Sequence, residues 1–189
     1  MAVSKQSWKD YVWLVWFLIQ IPVIFLVDAT HFYPKWLYAS PESPLHFMQL
    51  IKDNYISTYN DPIAQWTAET ATQHSSWIPL FLSIEMLFSA PIVLYAVYRL
   101  GVKRAGTTGA NELLFLVYAF ETAFTTLVCI HDVLYWDDAV YNIDLKRTFV
   151  FNLFGPWFVI PAIMFVDMCS RILSRINAAD AVAVGKKMQ

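Results

Sequence analysis

The chain has 189 residues, of which 58% are hydrophobic, 17% aromatic and only 15% charged, with a net charge of −2. A soluble domain carries about 25% charged residues, so the deficit places most of the surface against lipid. The length suits one membrane domain, and the slightly acidic balance leaves no electrostatic footprint for a nucleic-acid partner.

Four apolar stretches, each near the 20 residues needed to cross a bilayer, follow one another along the chain. The first covers 11–29. It leads into Asp28 and His31 with no small-x-small cleavage site, and so reads as a retained helix and not a signal peptide. A long loop, 30–76, follows. Within it Phe47, Leu50, Ile51 and Asn54–Tyr55 recur at helical spacing, which predicts a short amphipathic helix. That helix either lies on the bilayer surface or forms a lid over a cavity between the spans. The second stretch covers 77–98, the third 113–135 and the fourth 149–169. Pro22, Pro91, Pro156 and Pro161 fall inside them. Prolines are tolerated there because neighbouring groups re-satisfy the freed carbonyls; they kink helices and open space between them. The expected fold class is an all-α membrane protein, a four-transmembrane-helix bundle in one domain over 1–175, with a tail over 176–189.

Basic residues set the orientation. Lys5, Lys9, Arg99, Lys103, Arg104, Arg171, Arg175, Lys186 and Lys187 share one side, whereas only Lys35, Lys52, Lys146 and Arg147 share the other. Both termini and the 99–111 loop are therefore expected in the cytosol, and the two acidic loops on the lumenal or outer side. Lys186-Lys187 matches a dilysine retrieval signal for the endoplasmic reticulum, an address that a receptor reads. The alternative is a solvated basic tail.

Five carboxylates lie in or at the ends of the apolar stretches: Asp28, Glu85, Glu121, Asp132 and Asp167. An ionisable group at membrane depth is costly and marks a functional site by default. Asp28 and Glu85 both fall in the lumenal half, so the two can meet. Nearby acids in a low dielectric tend to share a proton, leaving one negative charge in an apolar cavity. Such a pair would receive a hydrophobic amine, anchor a sterol hydroxyl or shuffle protons. Glu121 sits among Tyr118, Thr122, Thr125 and Thr126, and is either a satisfied structural acid or a site residue. His131-Asp132 reads as interfacial. Asp167 has Arg171 at i+4, the spacing of a helix-surface ion pair.

Cys129 and Cys169 read as reduced packing residues. His31, His46 and His74 have no metal-ligand spacing, and no nucleophile or phosphate-loop motif occurs. Neither a metal nor a cofactor is expected.

The run Ile21-Pro22-Val23-Ile24-Phe25-Leu26-Val27-Asp28 resembles the EXPERA superfamily. So do Tyr59-Asn60-Asp61-Pro62, Trp77 through Ile84-Glu85 to Pro91, Thr125-Thr126-Leu127, and Phe154-Gly155-Pro156-Trp157 to Ile160-Pro161. The similarity is strongest to its sigma-2 receptor group and more distant to the emopamil-binding sterol isomerase. It covers nearly the whole chain with motif order preserved. The resemblance implies residence in the endoplasmic reticulum membrane, a homodimer, and an occluded cavity for sterols and cationic amphiphiles. On it, Asp28 would face the ligand amine, Glu85 would hydrogen-bond to Asp28, and Asp61 would hold the lid as a structural residue. Val23, Val27, Tyr55, Glu121, Thr126, Phe154 and Trp157 would line the cavity. The chain departs from the pattern in a longer 61–85 connection, and in Ile24 where the isomerase has a His. The leading expectation is thus a sterol- and amine-binding protein in sterol homeostasis. The alternatives are a Δ8-Δ7 sterol isomerase using Asp28 and Glu85, and a chaperone or trafficking factor with a membrane-protein client.

Overall fold

The computed structural model of the protein describes residues 5–67, 70 and 75–187, with side chains given as far as 184. Among the described residues there are helices and turns and no strand. Four helical runs are long and apolar enough to cross a membrane: Trp8–His31, Ile78–Val102, Gly109–Val133 and Ile143–Val184. They overlap the four stretches expected from sequence: the first and fourth are longer at both ends, the second runs on past 98, and the third starts earlier but stops at Val133, short of the expected 135. His74, Lys186 and Lys187 lie outside the residues whose side chains are described.

The chain divides into two compact units. One runs Leu14–Val97; the other comprises the chain up to Trp13 together with Tyr98 onwards.

The first unit begins within α1 (Trp8–Leu26), which contains Pro22 and passes into a 3₁₀ turn over Asp28–His31. Trp16, Phe17 and Ile24 are buried, and Leu18 and Ile19 are exposed, as a lipid-facing helix requires. A second 3₁₀ turn, Lys35–Leu37, leads to α2 (His46–Tyr59). The amphipathic helix expected from the Phe47–Tyr55 spacing is thus present. It stops at Asn60, which adopts the left-handed conformation at φ 54° and donates to the Ile56 carbonyl at 2.7 Å. Asparagine tolerates that conformation because its short amide bonds locally. Asp61 then accepts from the backbone N–H of Ile63 at 2.8 Å, and Pro62 keeps the helix from resuming. The Tyr-Asn-Asp-Pro motif is therefore a helix stop followed by an aspartate-built turn.

The unit closes with α3 (Ile78–Ile84) and α4 (Ala90–Val97), joined by a π turn over Glu85–Ser89. Its cause is Pro91, which has no N–H and crowds the carbonyl one turn back. The ladder widens there, and Ala90 donates to the Glu85 carbonyl. Glu85 heads this widened turn, a place where functional residues cluster.

The second unit contains α5 (Gly109–Val133), α6 (Ile143–Arg147) and α7 (Gly155–Lys187). Thr108 and Asn111 cap α5 reciprocally, side chain to backbone in both directions. α5 and α7 pack together, burying Phe115 and Tyr118 on the one and Met164 and Met168 on the other. The unit's second segment opens on a π turn over Tyr98–Val102, and α6 runs into another, Thr148–Leu153, closed by Phe154 N–H donating to the Phe149 carbonyl at 2.8 Å. A β-carbon at Gly155 would sit 2.9 Å from the Val150 carbonyl oxygen. Glycine is required there because the wide turn brings the backbone that close. The 176–189 tail is no separate element: α7 continues through it to Lys187 without a break.

Candidate functional site

The polar cluster of the Leu14–Val97 unit forms where α2 meets the end of the first span. α2 turns Met48, Lys52, Tyr55, Ile56 and Tyr59 to its more buried side, the i, i+4, i+7 stripe of a packed helix face. Tyr55 donates its phenolic proton to Asp61 Oδ2 at 2.8 Å. Asp61 is buried, and its other oxygen takes the backbone donors of its own turn. Asp28, half-buried in the 3₁₀ turn, lies within electrostatic reach of Asp61 and Lys52. Three elements thus deliver two carboxylates, one ammonium and one phenol.

The consequences for α2 follow from burial and neighbours. Withdrawal from water lowers the pKa of Lys52, while the carboxylates of Asp53 and Asp28 pull it back up. Burial raises the pKa of Tyr55, and the charge and hydrogen bond of Asp61 raise it further. Tyr55 is therefore a permanent donor. Ionised, the set Asp28, Asp61 and Lys52 carries one net negative charge.

Beside it, the His31 and Trp66 rings lie 6.0 Å apart, tilted by 49°. The Trp66 indole N–H is buried with no hydrogen-bond partner among the described residues. A cleft of about 340 Å³ opens between the end of the first span and the second, lined by Phe25, Ala29, Phe32, Tyr33, Ser83, Met86 and Leu87. Its two hydroxyls are spent internally: Ser83 donates to the Pro79 carbonyl at 2.7 Å and Tyr33 to the Phe25 carbonyl at 3.2 Å. The wall offers apolar contact alone. Val23 and Val27 lie half-buried in and just after α1, and Glu85 is half-buried at the head of its π turn.

The remaining expected residues, Glu121, Thr126, Phe154 and Trp157, belong to the other unit. Thr126 is buried and donates to the Thr122 carbonyl at 2.8 Å, with the Trp157 carbonyl at 3.5 Å, so it stitches α5 to α7. Glu121 accepts from the Thr122 hydroxyl at 3.4 Å. Phe154 ends an aromatic chain through Phe149, 5.7 Å away, to Trp136, a further 4.7 Å. Asp132 accepts the Trp136 indole N–H at 2.8 Å.

Asp167 requires a correction. It does pair with Arg171 at 2.8 Å, but the pair is not a surface one. Asp167 is buried, and it also takes Lys9 Nζ at 2.7 Å and the Trp13 indole N–H at 2.8 Å. Arg171 bridges onward to Asp10 and to the Thr107 hydroxyl at 3.0 Å. Thr107 donates to Glu112 at 2.8 Å, and Arg175 grips the Glu112 carboxylate at 2.6 and 2.8 Å. Three acids and three bases share one network.

Sequence reasoning missed four participants. Lys52 and Trp66 read as ordinary loop residues because nothing local marks their burial. Asp10 and Glu112 stand at the ends of spans, where an acid reads as a water boundary. The one available signal was the spacing Arg171–Arg175, which puts two cations on one helix face.

Among the described residues no group of three or more His, Cys, Asp or Glu side chains could hold a metal ion. The search of curated proteins finds no match to this chain. The profile of the EXPERA domain, the expanded EBP superfamily, matches residues 47–168. That segment holds α2, the Asp61 turn, the Glu85 π turn and the aromatic run through Phe154 to Trp157, and it is well over half of the chain. This protein, with its four membrane-spanning helices, belongs to the EXPERA superfamily.

Proposed function

We propose that the protein binds sterols and hydrophobic amines in the membrane of the endoplasmic reticulum, as part of sterol homeostasis or trafficking. The observation that carries this reading is the acidic cluster of Asp28 and Asp61 beside α2, next to an apolar cleft and balanced, among the described residues, by Lys52. One excess negative charge in apolar surroundings favours a cation with a greasy body. In this reading Asp28 faces the ligand amine, Glu85 supports it from the second span, and Tyr55 and Asp61 hold α2 in place. The Trp66 indole N–H supplies a donor for a hydroxyl or carbonyl oxygen of the ligand. Val23, Val27, Glu121, Thr126, Phe154 and Trp157 contribute lining, and the protein works as a homodimer.

The test is saturable binding of a lipophilic tertiary amine to detergent-purified protein. Loss of binding in Asp28→Asn, with the fold intact by circular dichroism, supports the assignment. Unchanged affinity in both Asp28→Asn and Glu85→Gln would remove it. The alternative is a Δ8-Δ7 sterol isomerase using Asp28 and Glu85 as its two carboxyls; turnover of a Δ8 sterol that is lost in Glu85→Gln would favour it over binding alone.

A further inference from the structure

α2 is a helix with three faces. Met48, Lys52, Tyr55 and Tyr59 point to the more buried side. Gln49, Asp53 and Ser57 form a polar strip, Gln49 half-buried and the other two exposed, with Gln49 donating to Asp53 at 2.7 Å. On the third side, Phe47, Leu50 and Ile51 make the first turns of α2 apolar yet 43–57% exposed, and exposed Asn54 and Thr58 continue that side toward the end of the helix. At about 100° per residue these strips are centred roughly 120° apart. A helix on a wholly aqueous surface needs two faces, one for protein and one for water. A third, apolar and uncovered, requires a third medium.

The start of α2 is tied to the exit of the first span. Ser43 donates its hydroxyl to the Trp36 carbonyl at 2.9 Å, Leu45 N–H to the Leu37 carbonyl at 3.0 Å, and His46 Nδ1 lies 3.3 Å from the Tyr38 carbonyl. The tethered turn carries Trp36, itself 71% exposed, beside Lys35. Tryptophan and lysine at a span's exit are anchors of the membrane interface, and Phe32, also exposed, joins them to the span. The apolar strip of α2 therefore extends a surface that is already lipid-facing.

We propose that Phe47, Leu50 and Ile51 seat α2 in the interfacial layer of the bilayer, with Gln49, Asp53 and Ser57 in water and Lys52 and Tyr55 on the protein. The partner is the phospholipid bilayer itself, at the boundary of headgroups and acyl chains. A helix so placed buries its apolar side some 5–10 Å into that boundary. α2 is then both a wall of the Asp28–Asp61 cluster and a part of the membrane contact.

The test uses the full chain with Cys129→Ala and Cys169→Ala, reconstituted in phosphatidylcholine vesicles. Leu50→Cys and Asp53→Cys are labelled singly with an environment-sensitive fluorophore. The Leu50 probe should emit further to the blue than the Asp53 probe. It should also be quenched at least about twofold more by lipid brominated high on the acyl chain, while aqueous iodide quenches chiefly the Asp53 probe. Two results overturn the proposal. One is equal iodide access at both positions. The other is a blue shift at Leu50 that vanishes as protein is diluted in lipid, which would mean that a second copy covers the strip. Phe47→Cys repeats the measurement if Leu50→Cys does not fold.

Discussion

Tyr55 and Asp61 face each other across the end of α2, phenol to carboxylate at 2.8 Å, and this contact pins the helix to the turn that stops it. A hydrogen bond to a charged acceptor contributes about 1.5–3 kcal/mol. Asp61 has further backbone donors, so the two partners are unequal. Tyr55→Phe should cost about 1–2 kcal/mol, and Asp61→Ala more, because it also frees the Ile63 N–H. Thermal unfolding in mild detergent reads both. A Tyr55→Phe loss equal to or above that of Asp61→Ala would contradict this order.

The alkaline limb of stability should depend on the same helix. Native Tyr55 holds its proton above the ordinary tyrosine value near 10. Below that pH the hydroxyl is protonated in both states and the contribution is intact. As pH rises past it, the unfolded chain releases the proton first, and stability falls. Lys52 acts oppositely: its native pKa is lowered, so in the range below the free lysine value the unfolded chain binds more protons and stability climbs with pH. Melting temperature followed over the alkaline range should fall less in Tyr55→Phe and more steeply in Lys52→Gln than in wild type. Parallel curves would refute both attributions.

Amine binding at Asp28 should be sharpened by removing Lys52. The ionised cluster goes from one net negative charge to two, and a cationic ligand no longer competes with a resident ammonium. Lys52→Gln should tighten a lipophilic tertiary amine by about tenfold, or ~1.4 kcal/mol. A neutral sterol should be indifferent. Weaker amine binding in Lys52→Gln would show that Lys52 supports the ligand instead.

The network at the other unit should fail in a graded way. Arg171 is largely buried and serves Asp10, Asp167 and Thr107. Arg171→Met takes the cation from buried Asp10 and one of three partners from Asp167, which keeps Lys9 and Trp13; removal of one partner of a buried pair costs about 3–5 kcal/mol. Arg175 is half-exposed and serves Glu112, so Arg175→Met should cost less. Adding Asp10→Asn to Arg171→Met should recover part of the loss, since coupled sites do not add. Strict additivity would mean that the pair is energetically idle.

Gly155→Ala should destabilise the fold by about 1–3 kcal/mol, the range for overpacking, because the new methyl meets the Val150 carbonyl at 2.9 Å and neither side is a flexible side chain. An unchanged melting temperature would show that the π turn can open without cost.

The spans were legible because apolar length is a property of composition alone. The helix stop at Asn60-Asp61-Pro62 has local reasons too, but these residues were read only as a motif of resemblance. Asp28 stood out as an acid at a span's end, but its expected partner was Glu85; the neighbours Asp61 and Lys52 were not read as members of its cluster. The burial of Lys52 depends on the phase of α2 relative to the end of the first span, which no local pattern records. The π turns were hidden in the same way. Proline marks a disturbance, yet whether the ladder kinks or widens depends on how far neighbours can yield. Asp10 and Glu112 stand outside or at the rim of the apolar stretches, where depth does not mark them. A buried network at a membrane edge uses residues that look, one by one, like residues in water.

α7 runs unbroken for 33 residues, with Pro161 inside it. At about 1.5 Å per residue this is a rod of roughly 50 Å, against about 30 Å of hydrocarbon to be crossed. Transmembrane helices tilt by about 20° on average, and a swing of that size moves the far end of such a rod by roughly 17 Å. The helix is thus a pointer. Any change of its tilt in the bilayer is therefore largest at its tip, beyond the hydrocarbon, and smallest where α7 packs on α5.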